Sequence, residues 1–144
     1  MILYCKKQRG TCIVLFTREA DYAVRILRAL RYGEKLSVQE ISKKEHITVK
    51  VAYKLASKLE SSCIIKSFRG SKGGYALNKS LSEITLYDVA VALDRNLLVN
   101  ECMTEGFECS RNCKQDPCGV HIAFLELQEL INENLKSKSL EKIF

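Results

Sequence analysis

The stretch SVQEISKKEHITVKVAYKLASKLESSCIIKSFRGSKGGYAL, residues 37–77, decides the fold. Ser37 places a hydroxyl where a helix begins, and Glu40, three residues on, completes a capping box. Val38 and Ile41 turn inward, and this helix ends near Glu45 and His46. Ile47 and Thr48 make a short turn. Thr48 caps a second helix, Val49 to about Ser61, whose buried side is Val51, Ala52, Leu55 and Leu59 at helical spacing. Two short helices joined by a tight turn read as helix-turn-helix. Cys63 to Phe68 is β-prone, Arg69 to Gly74 is a glycine-rich turn, and Tyr75 to Leu77 is a second strand. Paired, they give a β-hairpin with a basic tip. A hairpin directly after such a helix is a wing. The fold class that follows is mainly α with a small β-hairpin wing: a winged helix-turn-helix domain plus a long C-terminal dimerisation helix.

The second helix turns Lys50, Tyr53, Lys54, Ser57 and Lys58 outward. Cations there suit phosphates, and small or aromatic groups suit base edges in a major groove. A generic amphipathic helix carries a similar face; the wing that follows strengthens the DNA reading. Ser37 and Thr48 at the helix starts, with Arg69, Ser71, Lys72, Gly73 and Gly74 at the tip, complete the candidate DNA-binding set. Glycines let the turn take positive φ and let backbone amides approach a phosphate. Lys50, Tyr53, Lys54 and Arg69 lead the set, undivided between base reading and phosphate holding. A nucleotide-binding alternative lacks G-x-x-x-x-G-K-[ST] and a helix directly after the glycines. Cys63, before an apolar strand, reads as a buried small hydrophobe.

Charge points the same way. The chain of 144 residues has net charge +6, but residues 1–79 carry net +11 and residues 80–144 net −5. Between Ile41 and Lys79 there are nine lysines or arginines and two acids. A solvated basic face is the bland alternative, but so lopsided an excess favours double-stranded DNA as partner. No run approaches the roughly 20 apolar residues of a membrane span. The apolar run 12–16 after Lys6, Lys7 and Arg9 is too short for a signal sequence. A cytoplasmic, reducing setting follows, where cysteines serve more often as metal ligands or redox groups than as staples. Seven cysteines, an odd number, also argue against complete disulfide pairing. No paired carboxylates or Ser/His/Asp set marks an enzyme, and His46, beside lysines in a turn, reads as a surface residue.

Outside the decisive stretch, residues 1–13 read as a disordered or mis-started extension, and the winged helix-turn-helix domain as 14–80. A first helix opens at Thr17 and stops at Gly33, with Ala20, Ala23, Val24, Leu27 and Leu30 buried. Arg18, Arg25, Arg28 and Arg31 lie off that stripe, available to solvent or phosphate. Residues 81–101 form a connector helix, with Ile84 inward, Thr85 as cap, and Leu86, Val89, Ala90 and Leu93 as its stripe. From Cys118 or Gly119 a long helix runs through 119–144 with a tail. Its Val120, Ala123, Phe124, Leu127, Leu130, Ile131 and Leu135 fall on one side, opposite Glu126, Glu129 and Glu133. A second copy of the same helix is the economical partner for so wide a stripe; packing on its own domain is the alternative.

Between connector and long helix, residues 102–118 form a cysteine-rich loop. Cys102, Cys109, Cys113 and Cys118 are followed by His121, and Gly106 and Pro117 prevent one continuous helix. Thiolates are the soft ligands that iron–sulfur clusters and zinc select, with imidazole next. A disulfide-stapled loop or scattered buried thiols would be the bland explanation.

With these residues in view, the chain resembles the Rrf-type winged-helix transcription regulators, the IscR/NsrR-like family. The resemblance is carried by Thr17 to Val24 (TREADYAV), Arg69 to Tyr75 (RGSKGGY), Ile84 to Val89 (ITLYDV), the cysteine loop and the long final helix. It implies a homodimer crossed through the long helices, with two recognition helices and wings on a palindromic site. It also implies that, in cluster-binding members, three loop cysteines hold an iron–sulfur cluster, [2Fe-2S] or [4Fe-4S], that controls DNA binding. By position these resemble Cys102, Cys109 and Cys118, with His121 as an IscR-like ligand or Asp21 as an NsrR-like ligand from the other subunit. Cys113 departs from the pattern: it replaces Cys109, or four cysteines ligate without His121 or Asp21. Zinc, or a thiol–disulfide switch with no metal, remains the alternative for the loop. The whole reads as a cluster-sensing repressor rather than an enzyme. One expectation is directly testable: if translation starts near Val14 or Leu15, mass spectrometry of the native protein shows a mass lacking residues 1–13, and an intact Met1 refutes this.

Overall fold

The structure, a computed structural model, describes residues 16–70, 72–93, 97–111 and 117–144. The expected extension 1–13, Ser71 and Cys113 lie outside the described residues. The elements run α1 (Arg18–Ala29), α2 (Val38–Glu45), α3 (Val49–Ser61), β1 (Ile65–Phe68), β2 (Gly74–Leu77), α4 (Leu86–Ala92) and α5 (Gly119–Ser137). Short 3-10 turns cover Glu101–Met103 and Leu140–Lys142. The mainly helical class with a two-stranded wing and a long final helix is thus observed.

The core sits where α1, α3 and α4 meet. Ala23, Ile26, Leu27 and Leu30 of α1, Ala52, Leu55, Ala56 and Leu59 of α3, and Val89, Ala92 and Leu93 at α4 are all buried. Each large side chain there contributes about 1.5–3 kcal/mol of burial. α2 adds Ile41, the wing adds Ile65 and Tyr75, and the C-terminal turn adds Leu140 with no exposure at all. The C-terminal turn returns to the body through backbone bonds, Leu140 N–H to Ile84 at 2.7 Å and Glu141 N–H to Leu81 at 3.2 Å.

Local chemistry explains the helix starts. Ser37 and Glu40 form the full capping box, and the Ser37 amide and hydroxyl hold the Glu40 carboxyl below its usual range. Thr48 accepts from the Val51 amide, and Thr85 with Asp88 makes a second box. α2 stops because His46 takes the left-handed conformation, φ 53°. Thr17 corrects the expectation for α1. It stands at the cap position, yet its hydroxyl makes no capping bond, and its buried Oγ1 has no partner among the described residues.

The arginines of α1, and Arg31 in the turn after it, are also engaged rather than idle. Arg18 donates to the Tyr22 hydroxyl, Arg25 pairs with Asp21, Arg28 with Glu45, and Arg31 with the Tyr32 hydroxyl. Glu45 is only 4% exposed, so the Arg28 pair ties α1 to the end of α2 and raises the Arg28 pKa further. A second correction concerns Cys63. It is exposed, with φ 56°, at the sharp exit from α3, so it does not fill the core.

The wing pairs Ile65 with Leu77 and Phe68 with Gly74 in antiparallel register. Leu36 adds a bridge to its far side, exchanging bonds with Tyr75 at 2.7 and 3.0 Å. That bridge explains Gly74: a Cβ there would lie 2.6 Å from the Leu36 carbonyl oxygen. At Gly73 it would lie 2.6 Å from the Phe68 oxygen. Only Gly70 of the tip, φ +103°, needs glycine for its backbone angle. Gly74→Ala is therefore expected to destabilise the fold by about 1–3 kcal/mol, read by chemical denaturation, because backbone rather than a flexible side chain must yield.

Candidate nucleic-acid interface and cysteine site

The outward face of α3 meets the wing across a cleft of about 570 Å³. Ser37 and Gln39 of α2, Tyr53 and Glu60 of α3, and Phe68 and Arg69 of the wing line it. Lys50, Tyr53, Lys54 and Ser57 are exposed and Lys58 is half-buried. The structure thus brings Tyr53, Ser37, Arg69 and Gly73 to one cleft, with Lys50, Lys54 and Ser57 on the same helix. Thr48 is exposed at its start and Lys72 at the tip.

These cations are not equivalent. Lys54 Nζ lies 2.7 Å from Glu19 Oε1, and Lys58 Nζ donates to the Leu93 carbonyl at 3.2 Å. An exposed ion pair is worth about 0–1 kcal/mol, so phosphate could displace Glu19 at little cost, but Lys54 brings less net charge than Lys50. Four side chains near this cleft escaped the sequence reading. Phe68 is 42% exposed, with Lys66 and Lys35 ammonium groups 5.9 and 5.3 Å from its ring centre. Lys66 and Phe68 alternate along β1, which was the available signal; Lys35 is distant in sequence and gave none. Glu60 was also missed. It accepts from the Ser67 hydroxyl and fastens α3 to β1.

The cysteine loop lies against the start of α5. Cys102 sits in the 3-10 turn, its amide donating to Asn100 Oδ1 at 3.0 Å, and its sulfur lies 3.4 Å from His121 Nδ1. Cys118 is the N-cap residue of α5, and its carbonyl accepts from the Ile122 amide at 3.1 Å. Cys102, Cys109 and Cys118 are all half-buried. Gly106, φ +80°, turns the chain between the first two. Asp21 is on α1, paired with Arg25 rather than joined to the loop. Among the described residues, no three of His, Cys, Asp or Glu converge as a metal site. Cys102 and His121 do meet, and thiol with imidazole is a donor set suited to a soft metal centre.

The family model described as an iron-dependent transcriptional regulator, Rrf2, matches residues 16–144. The chain belongs to the Rrf2 family. Among similar sequences, the HTH-type transcriptional regulator IscR of Photorhabdus laumondii is 31% identical over 105 residues, covering 72% of this chain and 61% of that protein. A putative HTH-type transcriptional regulator of Haemophilus influenzae is 30% identical over 117 residues, covering 74% and 78%. Among solved structures, T. potens IscR superposes with TM-score 0.68 at 20% identity, covering 89% of this chain and 84% of that one. CymR, the global cysteine regulator of B. subtilis, gives 0.69 at 19%, covering 91% and 96%. This Rrf2 protein is a DNA-binding transcription regulator; its relatives are regulators, not enzymes.

The unequal lysines lead to a measurable difference. Lys50→Ala is expected to weaken binding to every duplex and reduce the slope of log affinity against log salt by about 1. Lys54→Ala should change the slope less, since Glu19 already offsets its charge. Equal slopes in the two variants would contradict this.

Proposed function

We propose that this Rrf2 protein is a cytoplasmic, dimeric repressor of transcription whose DNA affinity is set by an iron–sulfur cluster held in the Cys102–Cys118 loop. The observation that carries the reading is the contact of Cys102 with His121. It puts the first loop cysteine on the first turn of the long helix, where Cys118 already stands. Cys102, Cys109 and Cys118 would hold the group, with Cys113, His121 or a partner subunit's Asp21 as candidates for the remaining position. When bound, the cluster supplies a cationic centre that oxidants, nitric oxide and iron shortage can remove. The chain's own part is electrostatic: several thiolates in one short loop repel one another, so the loop closes on α5 only when that repulsion is offset.

α5 is the element placed to transmit the change. Phe124, Ile131 and Leu135 are half-buried, whereas Val120, Leu127 and Leu130 are 61%, 44% and 64% exposed and Ala123 is exposed beside them. The single stripe expected from the sequence is thus two adjacent faces, one against the body and one unpartnered. A second copy fits the exposed seam, whose three- and four-residue spacing matches itself across a two-fold axis. In such a dimer the spacing of two α3 helices on a palindromic operator depends on where α5 lies. The loop's closure biases that spacing, which is how a site distant from DNA alters affinity. Zinc shares the same donor chemistry, and the Cys102–His121 contact favours it as the second reading.

The test is an absorption spectrum with iron and sulfide analysis on protein purified without oxygen, with operator binding measured before and after chelation. A brown, iron- and sulfide-containing protein whose affinity shifts on chelation is expected, with the colour lost in Cys109→Ala or in Cys113→Ala but not both if only one of them ligates. A colourless zinc protein moves the loop to the second reading. Equal operator affinity in both states at matched salt overturns the switch.

A further inference from the structure

α5 buries one polar side chain within its inward face. Gln128 is 7% exposed, one turn after Phe124 and just before Ile131. Its carboxamide is fully used. Nε2 donates to the Leu97 carbonyl at 2.7 Å and to Asn132 Oδ1 at 3.0 Å, while Oε1 accepts from the Val99 amide at 2.8 Å. The carbonyl of Leu97 and the N–H of Val99, two residues on, reach the same side chain. A primary amide can meet both.

Three residues beyond Val99 comes Cys102, held through Asn100 Oδ1 and in contact with His121. His121 and Gln128 stand seven residues apart on α5, about two helical turns. The helix therefore grips the incoming segment twice, at 97–99 through Gln128 and at 102 through His121. An apolar side chain of similar volume would fill the same space, but it would accept several alignments of the backbone beside it. A buried amide with all its partners in place accepts one, because any slip leaves donors and acceptors unpaired.

We propose that Gln128 is a positioning residue for the cysteine site: its pairing with the Leu97 and Val99 backbone sets the register in which Cys102 is delivered to His121. This rests on reading the loop as the regulatory site and names what holds its first ligand in place. Glutamate would be worse than an apolar residue, since it presents acceptors to the Leu97 carbonyl and Asn132 Oδ1.

The experiment is peptide-resolved alkylation by iodoacetamide of the reduced full chain, comparing the unsubstituted protein with Gln128→Met and Gln128→Glu. Circular dichroism and thermal unfolding are measured alongside. Gln128→Met is expected to keep its helix content and speed alkylation of Cys102 about tenfold through local opening, with Cys109 and Cys118 little changed. Gln128→Glu should speed it more. Unchanged Cys102 in both variants, or all three cysteines rising in step, overturns the proposal. Hydrogen exchange on the unsubstituted protein needs no variant: a protected Val99 amide supports the pairing and a rapidly exchanging one refutes it. If the anaerobic protein carries a chromophore, Gln128→Met should also lose it faster to a chelator, and an unchanged rate counts against the proposal. If there is no chromophore, the cluster reading fails, while alkylation and exchange still decide the role of Gln128.

Discussion

The outward architecture depends on the burial of α3. Ala52, Leu55, Ala56 and Leu59 are each no more than 1% exposed, and they face Ala23, Ile26 and Leu27 of α1 and Val89 and Leu93 at α4. The two alanines let α3 come close to its neighbours while the two leucines fill the space between. That packing fixes rotation as well as position. With one side of the helix committed, Lys50, Tyr53, Lys54 and Ser57 have no choice but to face out, and the wing that leaves at Cys63 is aimed by the same constraint. Removing Leu55 would cost about 2–5 kcal/mol and loosen the aim of every outward group.

Much of this was legible because it is local. The capping box at Ser37, the Thr48 and Thr85 caps and the helical spacing in α3 are written within a few residues of one another, and the observed bounds of α2 and α3 follow them. The wing was legible for the same reason. What failed involved partners far along the chain or a geometry the residue type disguises. Cys63 is a small apolar residue before a strand, a pattern that describes a core position, yet it occupies a left-handed turn that glycine would fill more easily. Arg28 looked idle until the fold brought Glu45, seventeen residues away, beside it. Gly70 and Gly73 lie at the wing tip as expected, whereas Gly74 opens β2, and Gly73 and Gly74 are each crowded by a backbone carbonyl distant enough in the chain to leave no local signal.

The candidate cysteine site divides in the same way. Spacing alone marked a loop feeding the long helix, because Gly106 and Pro117 interrupt the helical pattern among the thiols. The contact of Cys102 with His121 spans nineteen residues and the hold of Gln128 on Val99 spans twenty-nine, so neither has a local signature. Glutamine in an amphipathic helix reads as a solvent-facing residue. Its burial becomes intelligible only when the segment beside it supplies the Leu97 carbonyl and the Val99 amide within hydrogen-bond distance.

α5 consequently carries two demands at once. Its inward face must hold the body of the chain and the segment leading to Cys102, while Val120, Leu127 and Leu130 leave an adjoining apolar seam open. A helix with well-separated faces could satisfy these demands independently. Here the faces are contiguous, since Leu127 of the open seam lies three residues from Phe124 and four from Ile131 on the inward face. Any rotation of the helix that improved one face would disturb the other. The helix therefore has few acceptable orientations, and a change at its first turn, where Cys118 and His121 lie, cannot be absorbed as a small continuous adjustment. Packed interfaces of this kind respond by moving between discrete arrangements. In the switch proposed above, such a step would reach α3 through α4, which packs on both α5 and α3. On the positioning role proposed for Gln128, its polar hold would make the preferred arrangement singular rather than merely stable.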